Sequence, residues 1–422
     1  MKLSTLKLIT YASTIDQVKS SLEAGANHLI LEDSKLSLRP FHDDFQTSDF
    51  TKITLLANHA RSLSPGCELS FNLDILPHNH HLPLIHQLAQ ELDKAFITTV
   101  RVQDPGLAEW FKEHAPHITL ILNCETGNQN TESIRYYQDH FKAQVFVNDI
   151  PNKDMQKIIT ELASSAQFEL QVQGPILIQN SPRPFLSGLT NPHTDSTTVV
   201  RSQDHEYPGR YFTFYQNPHG HLMYAYFDKS LLKNIPDLVA LNLSGWIIDG
   251  RGYPDTYTST CLKLYRALTN RYIQNPDTYE ITSDEIKKLD EVATLPQKPG
   301  FFKINQTDQD RIKKSKAAHS ETKVGIVVDS IKGEWISIQV THPFSPQDTL
   351  AIMTPEGKRY PLSIEEMYSI WNTPLSITDT LSPQKNALIK LKWQKGGQVK
   401  SALIKYSEII ETQSPITAGS KK

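Results

Sequence analysis

An acid and an arginine stand two residues apart in "IIDGRG" (247–252), directly after an isoleucine run. Asp249 and Arg251 at the C-terminal end of a buried strand can bind a polar ligand through a charge-assisted fork. The same pair can equally be a structural ion pair that closes a barrel. Asp104 in "VQDPG" and Glu125 in "NCETGN" end other apolar runs in the same manner. These four residues are the candidates for catalysis at one shared mouth. A fifth position comes from "VQGPILIQNSPRPFLSG" (172–188), an apolar strand that gives way to Arg183 between two prolines. A strand ending in a rigid polar loop with one arginine suits binding.

Histidines offer a weaker signal. "LPHNHHLPLIHQ" (76–87) places His78, His80 and His81 on a strand-to-helix loop with no carboxylate or thiolate to complete a metal set. A turn with solvated histidines is the preferred reading, and no metal site is expected. His205, His219 and His221 fall in a polar, aromatic stretch, where "PHGHLMY" also reads as a hairpin turn. No Gly-rich phosphate loop follows a strand, and neither GxSxG nor HExxH occurs.

The elements that must position these residues alternate. "LKLIT", "HLILE", "ELSFNLDIL", "FITTVRVQD", "ITLILNC", "AQVFVND" and "FELQVQGPILI" read as strands, each separated from the next by a segment of helical periodicity. This rhythm predicts parallel strands with crossover helices, an α/β fold of the TIM-like (β/α)8 barrel class over residues 1–300. About 190–225 interrupts it as an inserted lid or cap. The rhythm returns with "LSGWIIDGRG" and the helix "TYTSTCLKLYRALTNRYI". A Lys-rich linker is expected over 301–321, a small all-β barrel domain over 322–410, and a disordered tail over 411–422. The late lysines, "KK" at 287 and "RIKKSK" at 311, read as solvated linker in preference to an RNA-contacting arm.

Composition bounds the partners. The 422 residues are 38% hydrophobic and 21% charged with a net charge of −3, which gives no global attraction to nucleic acid or anionic membrane. Three scattered cysteines, Cys67, Cys124 and Cys261, argue for a reducing compartment. The N-terminal segment lacks a signal-peptide pattern and no stretch is long and apolar enough to span a bilayer, so a cytoplasmic location with no membrane contact is expected.

Across nearly its whole length the chain resembles the peptidase U32, or collagenase-like, family. "SLEAGANHLILEDSKLSLRPF" (21–41) is similar to that family's Ala-Gly-Ala-Asp helix end and Phe-Ser-Leu-Arg loop. "LDILPHNHHL" is similar to its Asn-Thr-Leu-Pro-His-Asn segment, "VQDPG" to Ala-Asp-Pro-Gly, "IIDGR" to Ile-Glu-Gly-Arg and "KPGFF" to Thr-Gly-Phe-Phe. "VGIVVDS…FSPQDTLAIMTPEG" resembles the β-barrel domain of some members. The resemblance implies ligand-binding roles for Arg39, His78, Asn79, Arg183, Arg201 and Asp228.

It also implies a lost cofactor. Family members hold an iron–sulfur cluster on four cysteines. Here Leu177, Pro184, Ser196 and Val200 stand at those positions and Gln173 replaces a histidine, while Ser181, Arg183, Ser187 and Arg201 are kept. Cluster iron needs thiolate or occasionally imidazole ligands, so no cofactor is expected. An Arg-Glu pair of the family is Asn148-Asp149 here, and a familial glutamine is Glu125.

Cluster-bearing relatives are associated with oxygen-independent hydroxylation of tRNA or rRNA bases and of ubiquinone precursors, some as pairs of related chains. The resemblance therefore implies a cluster-less accessory or binding subunit whose partners are RNA, tRNA or rRNA, and a cysteine-bearing homologue or another protein subunit. The alternative is a hydrolase or peptidase using Asp249, Asp104 or Glu125 with a histidine of the insertion. A third reading has the late lysines and the β domain hold RNA.

Overall fold

The computed structural model describes residues 6–40, 50–124, 127–162, 166–186, 197–203, 210–303, 321–355 and 358–406. Glu125, His205, Ser187, Ser196, nearly all of the 301–321 linker and the 411–422 tail lie outside the described residues. The chain divides into two compact units, Met1–Asn305 and Gln306–Lys422.

In the first unit, strands β1 (Lys7–Tyr11), β2 (His28–Glu32), β3 (Glu68–Leu73), β4 (Thr99–Val102), β5 (Thr119–Leu122), β6 (Ala143–Phe146) and β7 (Gln167–Ser181) pair in parallel in chain order. Helices α1 (Ile15–Glu23), α2 (Thr51–Leu63), α3 (Leu82–Lys94), α4 (Pro105–His114), α5 (Thr131–Gln138) and α6 (Asn152–Leu162) form the first six crossovers. Three strands, β8 (Thr198–Gln203), β9 (Tyr211–Asn217) and β10 (Gly220–Ser230), precede α7 (Ile235–Leu241). β11 (Gly245–Ile248) then pairs in parallel with both β7 and β1 and closes an eight-stranded barrel. α8 (Asp255–Gln274), α9 (Ser283–Val292) and the short β12 (Gln297–Lys298) complete the unit.

Local chemistry sets the helix starts. Thr14 accepts a hydrogen bond from the Gln17 N–H at the start of α1, Asp104 from Leu107 N–H ahead of α4, and Thr282 forms a capping box with Glu285 on α9. α9 contains Lys287 and Lys288, so that lysine pair lies on a capped helix and not in a linker. The cap outweighs what the charge run alone suggests.

Strand alternation sorts the core. Ile9, Ile30, Ile121, Ala143, Val145 and Ile247 form one apolar cluster, while their strand neighbours Leu8, Leu29, Leu31, Leu120, Leu122 and Ile248 pack in the larger cluster with the helices. The barrel interior holds the former set together with the buried polar side chains of the same alternation, among them His28, Ser70, Asn72 and Gln171. It also encloses a charge pair. Arg101 Nη1 donates to Glu169 Oε2 at 2.7 Å and Arg101 Nε to Ser70 Oγ at 3.1 Å, with both charged side chains buried.

β7 does not stop where its apolar run ends. It continues through Gln179 and Asn180 to Ser181 and pairs antiparallel with β10 across two register shifts. The insertion is therefore an antiparallel sheet, β7-β10-β9-β8, continuous with the barrel. Gln179 and Asn180 are exposed, so backbone pairing with β10, which polar side chains permit, extends the strand. Gly174, at φ +117, sits where β7 leaves the barrel, and a Cβ there would lie 2.1 Å from the Asp249 carbonyl oxygen. Only glycine meets both demands.

The second unit is a seven-stranded antiparallel sheet of β13 (Glu321–Ile331), β14 (Trp335–Val340), β15 (Leu350–Met353), β16 (Arg359–Leu362), β17 (Met367–Ser369), β18 (Leu388–Lys392) and β19 (Ala402–Tyr406). The strand order is β16-β15-β19-β13-β14-β18-β17, around a core including Val324, Ile336, Ile338, Phe344, Ile389 and Leu403. Among the described residues no helix is long and apolar enough to cross a membrane.

Removing one member of the interior ion pair leaves the other charge buried without its counter-ion. Arg101→Leu is expected to cost about 3–5 kcal/mol in denaturant unfolding, and the double variant with Glu169→Leu to recover much of that loss. Equal stability of Arg101→Leu and the parent chain would show that the pair is dispensable.

Candidate active site at the barrel mouth

The mouth is organised around Arg251. Its Nε donates to Asp249 Oδ1 at 3.0 Å, Nη2 to Asp249 Oδ2 at 2.7 Å and Nη1 to Glu32 Oε1 at 2.7 Å. The guanidinium lies 3.6 Å above the Tyr11 ring centroid. Arg251 follows β11, Glu32 ends β2 and Tyr11 ends β1. All three side chains therefore reach the mouth because their strands end there. Glu32 also accepts from Asn72 Nδ2 at 2.9 Å. The loop after β2 is latched to β3 by Ser37 Oγ donating to the Asn72 carbonyl and by Leu38 N–H donating to Asp74 Oδ1 at 2.6 Å. This latch carries Arg39, which is buried and whose charge acts on Tyr11 and Asp249.

The electrostatics follow from this packing. Burial pushes the Asp249 carboxyl upward, but the guanidiniums of Arg251 and Arg39 outweigh it and hold Asp249 below the usual carboxylate range. Burial lowers Arg251 less than Asp249 and Glu32 raise it, so it stays charged. At Glu32 burial wins and the carboxyl is pushed up to about 7. Glu32 can thus exchange a proton at neutral pH, and it faces a half-enclosed cavity of about 190 Å³. Tyr11, Ser13, Gln17, Arg251, Tyr253 and Asp255 also line that cavity.

A second network backs the same wall. Asp228 is fully buried and accepts from Tyr253 OH at 2.8 and 2.9 Å, Gln297 Nε2 at 3.1 Å and Tyr257 OH at 3.4 Å. Burial pushes it up to about 6. Gln173 donates to Tyr257 OH and to Gln297 Oε1, both at 2.7 Å. Beside Asp228, Lys229 Nζ donates to Asn148 Oδ1 at 2.9 Å, and burial pulls its amine down to about 7.

The structure thus brings Arg39, Asp249 and Arg251 together and joins Asp228 to them through the cavity-lining Tyr253. The other candidates have separate surroundings. Asp104 caps α4. His78 precedes a short turn of helix containing Asn79, and the rings of His78, His80 and His81 stack at its surface. Arg183 is exposed, with its N–H donating to Ser181 Oγ at 3.2 Å, and Arg201 is exposed on β8 opposite Thr213. His219 Nε2 lies 2.6 Å from the Ser34 carbonyl oxygen, while His221 packs between the rings of Phe185 and Phe214. Sequence reasoning passed over Tyr11, Glu32, Tyr253 and Lys229. Glu32 carried the available signal, since it ends the apolar run "HLILE" as Asp249 ends "WII".

The donor set does not fit an iron–sulfur cluster. Leu177 packs against the apolar group of Leu38, Tyr215, Leu222 and Tyr224, and Val200 pairs with Phe214 on the neighbouring strand. Cys67 and Cys261 are buried within the core between barrel and helices, and Cys124 follows β5. Among the described residues no group of three or more His, Cys, Asp and Glu side chains is placed to hold a metal ion.

These buried groups fix a pH signature. Glu32 and Asp228 bind protons more tightly folded than unfolded, so their contribution to stability falls as pH rises from about 4 to about 7, while His28 and His219, lowered by burial, act in the opposite direction. Lys229 binds its proton less tightly when folded, so stability rises again above about pH 7. Relative to the parent chain, Glu32→Gln is expected to lose less unfolding free energy between about pH 4 and 7, and Lys229→Met to gain less above about pH 7. Stability profiles of both variants that run parallel to that of the parent chain would exclude this assignment.

Residues 13–312 match the model of peptidase family U32. The tRNA hydroxylation protein P1 of Bacillus subtilis is 19% identical over 382 residues, covering 87% of each chain. The tRNA hydroxylation protein P of Escherichia coli is 19% identical over 402 residues, covering 83% of this chain and 86% of that one. A solved C-terminal domain, described as that of a U32 peptidase of Geobacillus thermoleovorans, is 17% identical, covering 19% of this chain and 96% of that one at a TM-score of 0.17. With the family model matching well over half of its length, the chain belongs to peptidase family U32.

Proposed function

We propose that this chain serves tRNA hydroxylation in the cytoplasm as a cluster-less binding or accessory subunit, working beside a cysteine-bearing homologue. The carrying observation is a contrast within one sheet. The mouth keeps a fully bonded Arg251–Asp249–Glu32 network beside a polar cavity, while the positions of cluster ligands hold Leu177, Pro184 and Val200. Relatives that match over most of the chain carry the name tRNA hydroxylation protein. Ligand binding survives such a replacement, whereas redox chemistry that needs thiolate-bound iron does not.

Peptide hydrolysis finds less support. Both Asp249 oxygens are engaged by Arg251, while His219 Nε2 lies 2.6 Å from the Ser34 carbonyl oxygen and His221 packs against the rings of Phe185 and Phe214. A general base must reach the proton it removes.

Anoxic purification is expected to give a colourless, iron-free protein, and deletion of the gene to lower hydroxylated nucleosides in bulk tRNA measured by mass spectrometry. Hydroxylation of tRNA by the purified chain alone would overturn the accessory role. Unchanged nucleoside levels after deletion would overturn the link to tRNA.

A further inference from the structure

We propose that the outward face of β14, β17 and β18 is a platform for single-stranded RNA, with bases stacking on Trp371 and Trp335 and phosphates held by Lys390 and Lys392. The choice of RNA as the polymer rests on the proposed link to tRNA modification, whereas the platform is argued from its own residues.

Alternation defines the face. Ile336, Ile338, Ile389, Leu391 and Met367 point into the core of the second unit. Their strand neighbours Trp335, Ser337, Lys390, Lys392 and Tyr368 therefore share the opposite face. Register places Trp335 opposite Lys392, and Lys390 between Ser337 and Tyr368. Aromatic rings and ammonium groups thus alternate across three adjacent strands.

Trp371 gives the face its purpose. It is 83% exposed, more than any other large apolar side chain described. Its turn is nonetheless rigid. Ser369 Oγ accepts from the N–H groups of Trp371 and Thr373, Asn372 N–H donates to the Ser369 carbonyl, and Asn372 holds a positive φ of 60°. Lys390 ties the turn to the sheet, since its Nζ donates to Asn372 Oδ1 at 3.0 Å and lies 4.4 Å from the Trp335 ring centroid. A large indole held in water on a fixed turn is a preorganised stacking surface, and every base offers it a π-face.

Charge favours the same occupant. Residues 321–406 hold ten Lys and Arg against eight Asp and Glu, although the whole chain carries −3. The acids near the face are Asp329, Glu334 and Glu366, and Glu366 accepts from Tyr368 OH at 3.1 Å. Lys390 and Lys392 occupy the central strand of the face, and Glu366 lies at its margin just before β17. A ligand with flat rings joined by anionic links matches this arrangement better than an apolar protein surface does.

The test uses the full-length chain and a fluorescein-labelled single-stranded RNA of about twelve nucleotides, within the usual footprint of such platforms. Anisotropy would be read at about 50 and 200 mM salt. Trp371→Ala is expected to weaken binding about ten-fold, and Lys392→Gln to lower the salt slope by about one. Phe96→Ala, which removes a comparably exposed aromatic of the barrel unit at 78% exposure, is expected to leave binding unchanged. Binding unaltered in Trp371→Ala, a duplex bound as tightly as the single strand, or no RNA bound by the parent chain would each overturn the platform. None of those outcomes touches the nucleoside measurement that decides the link to tRNA.

Discussion

A guanidinium buried at the mouth of an eight-stranded barrel is the constraint from which the rest of the site follows. Arg251 cannot lose its charge, and a lone buried cation is costly. It must therefore be met by Asp249 beside it, by Glu32 and by the face of Tyr11. These partners sit on β11, β2 and β1, three neighbouring strands at the place where the last strand returns to the first. Satisfying one charge thus fixes the seam of the barrel, gathers acids around the cavity and suppresses the Asp249 pKa. At Glu32 burial outweighs its one guanidinium contact and its bond from Asn72, so this mouth carboxyl is the one pushed up to about 7.

β7 couples this mouth to the antiparallel sheet. Its N-terminal half is barrel wall, and its C-terminal half is the strand on which β10 lies. At the changeover Gly174 lets the Asp249 backbone approach, and Gln173 enters the hydrogen-bond network of Tyr257 and Gln297. A glutamine meets neutral donors and acceptors on both sides without a charge. Of the positions that the resemblance assigns to cluster ligands, Leu177 packs against Leu38, Tyr215, Leu222 and Tyr224, and Val200 pairs with Phe214. The apolar run that first suggests a site continues as β7 to Ser181, with Arg183 exposed just beyond it, while the side chains of Arg251, Glu32 and Asp228 lie buried at the mouth.

What the sequence by itself determined is the order and type of the elements. Alternating apolar strands and amphipathic helices with caps such as Asp104 and Thr282 encode local geometry, and that geometry dictates parallel crossovers and a barrel. Asp249 and Arg251 were legible as candidates, and the structure places both at the barrel mouth as an ion pair, because a charge directly after a buried strand has one end of the barrel to face. The ligand-position substitutions at Leu177, Pro184 and Val200 were legible because residue chemistry alone decides whether iron can be held. Tertiary structure decided the pairings: that Glu32, 219 residues before Arg251, completes its coordination, that Tyr253 bonds to Asp228, and that Lys229 is buried against Asn148. It also decided that β7 runs on through polar residues to pair with β10, since that depends on partner residues 40 to 44 positions away in the chain. Periodicity reports on a residue's own strand or helix. Burial, register and the partners of a charge are properties of the neighbours that folding brings to it.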